Sequence, residues 1–321
     1  MKKIGILFGQ ENSFPPAFVD RVNAKTGGQD IRAEFVRIDK VVQGEPCGYD
    51  VIIDRISQDV PFYRGFLKNA ALTGTAVVNN PFWWSADEKF FNNALATKIG
   101  VAVPKTVLLP SHQVPTDTSD GSFRNLAFPL DWEAMFAYVG WPAYFKPFAG
   151  GGWKNVYKLN NPEEFFRAYG ETGQLVMMLQ EEVKFDMYFR CYSIDQRNVR
   201  IMPYEPRQPY HLRYQTEWQT PPEILQKVHD GVLTLNQYLG YDLNTVEFAI
   251  RDGVPLAIDF CNPAPDAEVA SVGQANFEWV VEAVSDMAIR KAGEHQPGRD
   301  NLSWGKFIQA GATGRSLRDL A

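Results

Sequence analysis

From Lys3 to Val78 short apolar runs alternate with helical stretches, and this alternation restricts the fold more than any other feature of the chain. Residues 3–8 (KIGILF), 33–38, 49–54 (YDVIID) and 75–78 read as strands; 17–25 and 60–72 read as helices, and Gly74 closes the second. Strands linked through helices pair in parallel, because a parallel neighbour needs a crossover and not a tight turn. The sequence therefore predicts an α/β chain whose N-terminal part is a parallel sheet with helices on its faces. Ligands of such sheets sit at the carboxyl ends of strands, here Gly9–Ser13 and Asp54–Ser57.

Further along the pattern changes. Residues 86–99 predict a helix with Ser85 as N-cap, Glu88 as its capping-box partner and Gly100 as its end. Residues 111–123 are polar and aperiodic, as an exposed loop is, and 131–139 read as a short helix. From Pro142 the chain turns β-rich, with strands at 143–147, 155–159, 175–183 and 188–194. A helix follows at 222–239, then strands at 244–251 and 255–260 joined by Asp252-Gly253, a hairpin signal, and a last helix at 276–292.

Composition excludes several classes. With 45% hydrophobic and 22% charged residues the chain is globular, and its 321 residues suit about two domains or one large one. A net charge of −6 lacks the basic footprint of a dedicated nucleic-acid binder, so no nucleic-acid partner is expected. Cys47, Cys191 and Cys261 are odd in number, widely spaced and free of any CxxC pair, which argues against a disulfide framework. The four His show no metal-ligand spacing, which argues against structural zinc. The apolar stretch after Lys3 ends at Phe8, too short for a signal-peptide core or a membrane span. The expectation is a cytoplasmic protein with no membrane partner.

Two constellations carry chemistry. In the first, Tyr144–Val156 (YFKPFAGGGWKNV), an apolar strand delivers Lys146 to a loop of three glycines, Gly150, Gly151 and Gly152. Consecutive glycines let backbone N–H groups turn toward a phosphate, and a Lys adds a point charge to the same group. A flexible hairpin with a solvated Lys would show the same residues. In the second, Glu247 and Asp259 lie on strands joined by the Asp252-Gly253 turn, with Asn262 just beyond. Two carboxylates and an amide oxygen form a hard-oxygen set suited to Mg²⁺ arriving with a nucleotide. Acids on a solvent-facing edge hairpin are the other reading.

Taken in order, these parts resemble the ATP-grasp superfamily over nearly the whole chain. The resemblance begins at Ala86-Asp87-Glu88-Lys89 and continues through Gly100, Pro104 and Lys105-Thr106-Val107. It implies an N-terminal pre-ATP-grasp domain (1–85), a small lobe bearing the Gly-rich loop (86–183) and a large lobe bearing a metal site (184–321), the last two forming a two-lobed α+β ATP-grasp domain. Lys89 and Lys146 look like the two nucleotide-binding lysines. Leu179–Val183 (LQEEV) is similar to the interlobe hinge, so Glu181, Glu182 and Val183 are expected around the adenine and Asp186 near the ribose. Arg190 resembles a phosphate or substrate contact. Glu247, Asp259 and Asn262 resemble the ligands of Mg²⁺, with Mn²⁺ an alternative.

The pattern departs from the family at two points. Members often show an acid, one residue, then Asn; here Asp259 is three residues before Asn262, which on a regular strand puts the two side chains on opposite faces unless a bulge intervenes. The Arg often found two residues before the first metal carboxylate is Thr245, so its duty is expected to pass to Arg190, Arg207 or Arg213. The last two lie in an aromatic segment, Tyr204–Tyr214, and suit a substrate carboxylate or an acyl phosphate; pairing with Glu205 or Glu217 in a solvated loop is the alternative. Arg55 is a second carboxylate candidate, with a surface ion pair as its alternative. The resemblance implies an ATP-dependent carboxylate–amine ligase with small-molecule substrates that forms an amide through an acyl phosphate; family members are often homodimers. A kinase-like phosphotransferase and a non-catalytic nucleotide-binding regulator are the other readings.

Overall fold

An apolar strand buried on both faces reads as a continuous hydrophobic run, and the N-terminal strands at 51–54 and 76–78 behave this way, as does the end of the strand at 2–7. The computed structural model describes residues 1–82, 88–150, 154–299, 301–302 and 313. Its elements begin β1 Lys2–Leu7, α1 Phe14–Thr26, β2 Ile31–Phe35, β3 Val51–Asp54, α2 Pro61–Leu72 and β4 Ala76–Val78. There follow α3 Lys89–Lys98, β5 Thr106–Leu109, α4 Trp132–Val139, β6 Ala143–Pro147, β7 Tyr157–Leu159, α5 Pro162–Glu171 and β8 Met177–Glu181. The chain ends with β9 Met187–Ile194, β10 Asn198–Pro203, α6 Pro222–Leu239, β11 Leu243–Arg251, β12 Val254–Asp259, α7 Val269–Val272 and α8 Gln274–Glu294. Three four-stranded sheets result, ordered β2-β1-β3-β4, β5-β8-β6-β7 and β10-β9-β11-β12.

The expected fold class holds. The first sheet is parallel throughout, and the second is antiparallel throughout. Sequence placed α6 and β6 on their observed bounds, and most other elements within a few residues. Three elements went unread: β10, α5 and α7. The start of α5 carries a plain signal, Asn161-Pro162, in which the Asn161 side chain accepts the Glu164 N–H and Pro162 takes the first turn.

Two compact units divide the chain. One comprises 1–84, 188–247 and 259–321; the other comprises 85–187 and 248–258. In the first unit Ile4, Ile6, Val51 and Ile53 share a core with Phe14 and Phe18 of α1 and with Val280, Val281 and Val284 of α8. Leu7, Ile52 and Val77 pack on Phe66, Leu67, Ala70 and Ala71 of α2. The parallel sheet is thus covered on one face by a helix from the far end of the chain. Glu268 fastens the approach to that helix, its carboxylate accepting backbone N–H groups of Asn12 (2.9 Å) and Ser13 (3.0 Å) where α1 begins, while the Ser13 hydroxyl accepts the Val269 N–H at 3.0 Å. In the second unit the antiparallel sheet packs Ala143, Phe145, Met177 and Leu179 against Phe165, Ala168 and Tyr169 of α5.

Candidate active site

In the second unit, strand alternation decides where Lys146 goes. Ala143 and Phe145 enter the core, so Tyr144 and Lys146 take the opposite face of β6. Register sets Tyr144 and Thr106 on either side of Gln180, forming one row across three strands. Lys146 Nζ donates to Gln180 Oε1 at 2.8 Å, and Gln180 Nε2 donates to Thr106 Oγ1 at 2.9 Å. Gln180 is 3% exposed, and its amide is satisfied at both ends. An amide partner of this kind orients the ammonium through a neutral group.

β6 then leads to Gly150, whose φ of 81° lies in the left-handed region open to glycine. Gly151 and Gly152 lie outside the described residues, as do Ser85, Ala86 and Asp87. The Lys89 N–H donates to the Phe148 carbonyl at 2.9 Å, and the Phe148 N–H donates to Val176 O at 3.1 Å. The start of α3, the end of β6 and the lead into β8 are thereby joined at Phe148, two residues from both Lys146 and Gly150.

The expected hinge is spoken for in part. The Glu181 and Glu182 N–H groups donate to Lys105 O (3.0 Å) and Pro142 O (3.1 Å), leaving Val183 as the first N–H with no partner among the described residues. The Glu181 carboxylate meets Arg251 Nη1 at 3.0 Å and that of Glu182 meets Lys158 Nζ at 2.5 Å. Asp186 is exposed, and its N–H donates to Ile250 O at 2.9 Å. Backbone at Val183 therefore suits a nucleobase edge better than either glutamate side chain.

In the first unit the centre is Glu247. Its Oε2 accepts the Tyr188 hydroxyl at 2.6 Å, and its Oε1 stands 3.6 Å from Arg190 Nε. Arg190 Nη1 donates to the Tyr214 hydroxyl at 3.0 Å, and its guanidinium lies over the Tyr204 ring. Burial first, then the Glu247 and Asp259 charges, hold the Tyr188 hydroxyl well above its ordinary range, so it serves as a neutral donor. Two buried donors beside this carboxylate have no hydrogen-bond partner among the described residues: Arg190 Nε and Thr245 Oγ1. Thr245 is two residues from Glu247 on β11 and so shares its face. Each orphaned donor costs roughly 1–3 kcal/mol, and such groups are where an incoming oxygen atom gains most.

The acids on the hairpin sit as follows. Asp252 (φ 52°) and Gly253 (φ 72°) are both left-handed, the geometry of a two-residue type I′ turn. Counting back, Glu247 stands opposite Ile258, and Asp259 opposite Val246, so a regular pleat starts the two carboxylates on different faces. Asp259 is the last residue of β12; beyond it the ladder gives way to side-chain bonds. Asn244 Nδ2 donates to Phe260 O (2.8 Å) and Asn244 Oδ1 accepts the Asn262 N–H (2.7 Å). Asn262 Nδ2 donates to Thr245 O at 3.1 Å, which leaves its Oδ1 as the acceptor of that amide. Among the described residues no three His, Cys, Asp or Glu side chains gather as a metal cluster. The expected donors Glu247, Asp259 and the Asn262 amide oxygen are all hard oxygens, the type that Mg²⁺ takes.

The other arginines divide. Arg207 is exposed and forks onto Glu205 through Nε (2.8 Å) and Nη2 (2.6 Å), the loop ion pair that was one of its two readings. Arg213 donates to Gln208 O (3.0 Å) and to the Tyr204 hydroxyl (3.2 Å). Arg55 is buried, bonds Glu11 and Pro265 O, and packs over the Phe14 ring at 4.9 Å, so it ties loops together from within. Burial pushes the Cys191 thiol up, as befits a core residue. Sequence reasoning passed over Tyr188 and Gln180. The signals were present: Tyr188 is two residues from Arg190 on one strand, and Gln180 is a lone amide ending the apolar run Leu175–Leu179.

Comparison with known proteins agrees with this architecture. No family model matches the chain, and no curated protein matches its sequence significantly. Solved structures do match. A D-alanine–D-alanine ligase from Bacillus anthracis, complexed with ATP, is 14% identical at a TM-score of 0.62, covering 92% of this chain and 99% of that one. A D-Ala:D-Ser ligase from Enterococcus faecalis is 14% identical at 0.64, covering 91% and 99%. An ATP-grasp RimK domain protein from Sphaerobacter thermophilus is 13% identical at 0.62, covering 89% and 99%. The chain thus has the ATP-grasp fold. Among the described residues no helix is long and apolar enough to cross a membrane.

Proposed function

We propose that this protein is an ATP- and Mg²⁺-dependent carboxylate–amine ligase of the ATP-grasp superfamily, divided functionally at 85/86 and 183/184. The observation that supports the reading is the junction at Phe148, where the backbone N–H of Lys89 at the start of α3 bonds to the end of the strand that carries Lys146 and leads to Gly150. Lys89, Lys146 and the loop from Gly150 hold the phosphates of ATP, and Val183 with Glu181 and Glu182 borders the adenine. Glu247, Asp259 and Asn262 hold Mg²⁺, which when bound neutralises charge on the terminal phosphates. Arg190, whose Nε lacks a partner beside Glu247, receives the oxyanion; Arg213 and then Arg207 are the further candidates.

The reaction balances in two steps. A carboxylate oxygen of the acid attacks the γ-phosphorus, the bond to the β-phosphate bridge breaks, and ADP leaves. The amine nitrogen then attacks the acyl carbon, phosphate departs with its bridging oxygen, and the amine loses a proton. Residues of the chain contribute by positioning and by charge neutralisation. The substrates are small molecules, with neither nucleic acid nor membrane as partner, and a cytoplasmic homodimer completes the proposal. The test is a phosphate-release screen over paired carboxylates and amines with ATP and Mg²⁺. Free phosphate with an amide product is expected. A stable phosphorylated acceptor would assign a phosphotransferase, and ATP binding with no turnover over the whole set would assign a regulator.

A further inference from the structure

β2 stands at one end of the parallel sheet, beside β1. The Lys2 N–H donates to Asp30 O at 2.7 Å and the Val36 N–H donates to Ile6 O at 3.0 Å, so the even-numbered residues here turn their backbone groups toward β1. Backbone direction alternates along a strand, and Ile31, Ala33 and Phe35 therefore turn theirs outward. A row of outward N–H and C=O groups is a template for a further strand. Asn23 of α1 occupies the middle of it. Its Oδ1 accepts the Ala33 N–H at 2.8 Å and its Nδ2 donates to Ala33 O at 3.0 Å, the pair of bonds that a residue of an added antiparallel strand would make. Nearby, Thr26 Oγ1 lies 2.8 Å from Ile31 O. Asparagine suits a helix interior less well than alanine, and the strand it covers explains its place in α1.

A groove of about 510 Å³ lies beside this edge, lined by Val19 and Asn23 of α1 and by residues 32–35 and 37. The edge is also complementary to itself. In an antiparallel pairing of two copies centred on Ala33, Arg32 of each copy stands opposite Glu34 of the other, and Ile31 opposite Phe35. The charged pairs attract and the outer pairs are apolar. A two-fold axis through the central Ala33 pair generates this register. We propose that Asn23 guards β2, and that uncovering Ala33 lets a second copy of this chain pair there, β2 against β2. The inference is independent of the ligase reading.

The experiment is sedimentation velocity of the full chain over about a 100-fold range of concentration, with hydrogen exchange of backbone amides at the lowest one. Wild type, Asn23→Ala, and Asn23→Ala combined with Arg32→Glu are compared. Asn23→Ala should gain mass over wild type as concentration rises. Its Ala33 amide should exchange about 5- to 10-fold faster, as the loss of one hydrogen bond predicts. The Val36 amide, bonded across the sheet to Ile6 O, should keep its rate. Arg32→Glu sets like charges opposite each other and should return the double variant to the wild-type mass, with the Ala33 amide still fast. Asn23→Ser, too short to reach both backbone groups, carries the test if Asn23→Ala does not fold. A mass unchanged at every concentration, association that survives Arg32→Glu, or equal acceleration at Ala33 and Val36 overturns the proposal.

Discussion

Lys146 in the second unit and Glu247 in the first are candidate charges held by opposite means. Lys146 rests on a short relay of neutral groups, Gln180 and Thr106, from strands adjacent in register. Glu247 is enclosed by tyrosines, by a guanidinium on the neighbouring strand, and by a loop tryptophan that fixes one of those tyrosines. The relay orients a charge through neutral partners. The enclosure holds a carboxylate between a buried hydroxyl donor and a guanidinium. Under the proposed function the first would meet a flexible polyphosphate and the second a small cation.

Substitutions can break or sharpen this contrast. Glu247→Gln keeps the shape and removes the charge; metal-supported binding of ATP should fall by more than about 100-fold, beyond what loss of an outer partner causes. Normal titration with Mg²⁺ would empty the enclosure of its purpose. Lys146→Ala should weaken ATP by about 10- to 100-fold, from the loss of a charge-assisted bond worth roughly 1.5–3 kcal/mol. Its Tm without nucleotide should scarcely move, and a large fall would make the relay a structural device.

Smaller effects probe the frame around Glu247. Glu268→Ala should cost about 1–2 kcal/mol by uncapping α1. Burial pulls the Glu268 carboxyl up, but the N–H groups of Ser13, Asn12 and Phe14 outweigh it and hold the carboxyl below its ordinary 4.5. The stabilisation is therefore complete above that pH and is lost as pH falls through the lowered folded value. Melting curves of wild type and variant should converge in acid; a constant gap would refute the capping role. Thr245→Val, which deletes the orphaned hydroxyl, should stabilise the free protein by up to about 1 kcal/mol, as replacement of an unpaired buried polar group by an apolar one does. A lower Tm would reveal a partner for Thr245.

The relay and the enclosure also differ in how far sequence exposes them. Lys146 was legible because its strand, its charge and its glycines are consecutive residues. Glu247 and Asn262 were legible as types near a hairpin turn. What surrounds Glu247 was not: Tyr188, Tyr214 and Trp218 lie between 29 and 59 positions away along the chain, and only strand pairing makes neighbours of them. The same limit applies to Arg55, which a linear reading offers as a substrate anchor and which folding sends inward to Glu11 and Pro265. The hinge shows a third case, since the spacing of Glu181 and Glu182 is visible in sequence but their capture by Arg251 and Lys158 depends on three-dimensional neighbours.

Because α8 supplies part of the N-terminal sheet's core, the strands β1 and β3 complete their burial only when a helix far downstream in the chain has been made. Until then Ile4, Ile6, Val51 and Ile53 have only partial cover, from Phe14 and Phe18 of α1, and closure at such long range is of the kind that folds slowly and invites aggregation. Nascent chains stopped short of Gln274 should accordingly be chaperone clients, and the arrival of α8 is the moment at which this face of the sheet closes.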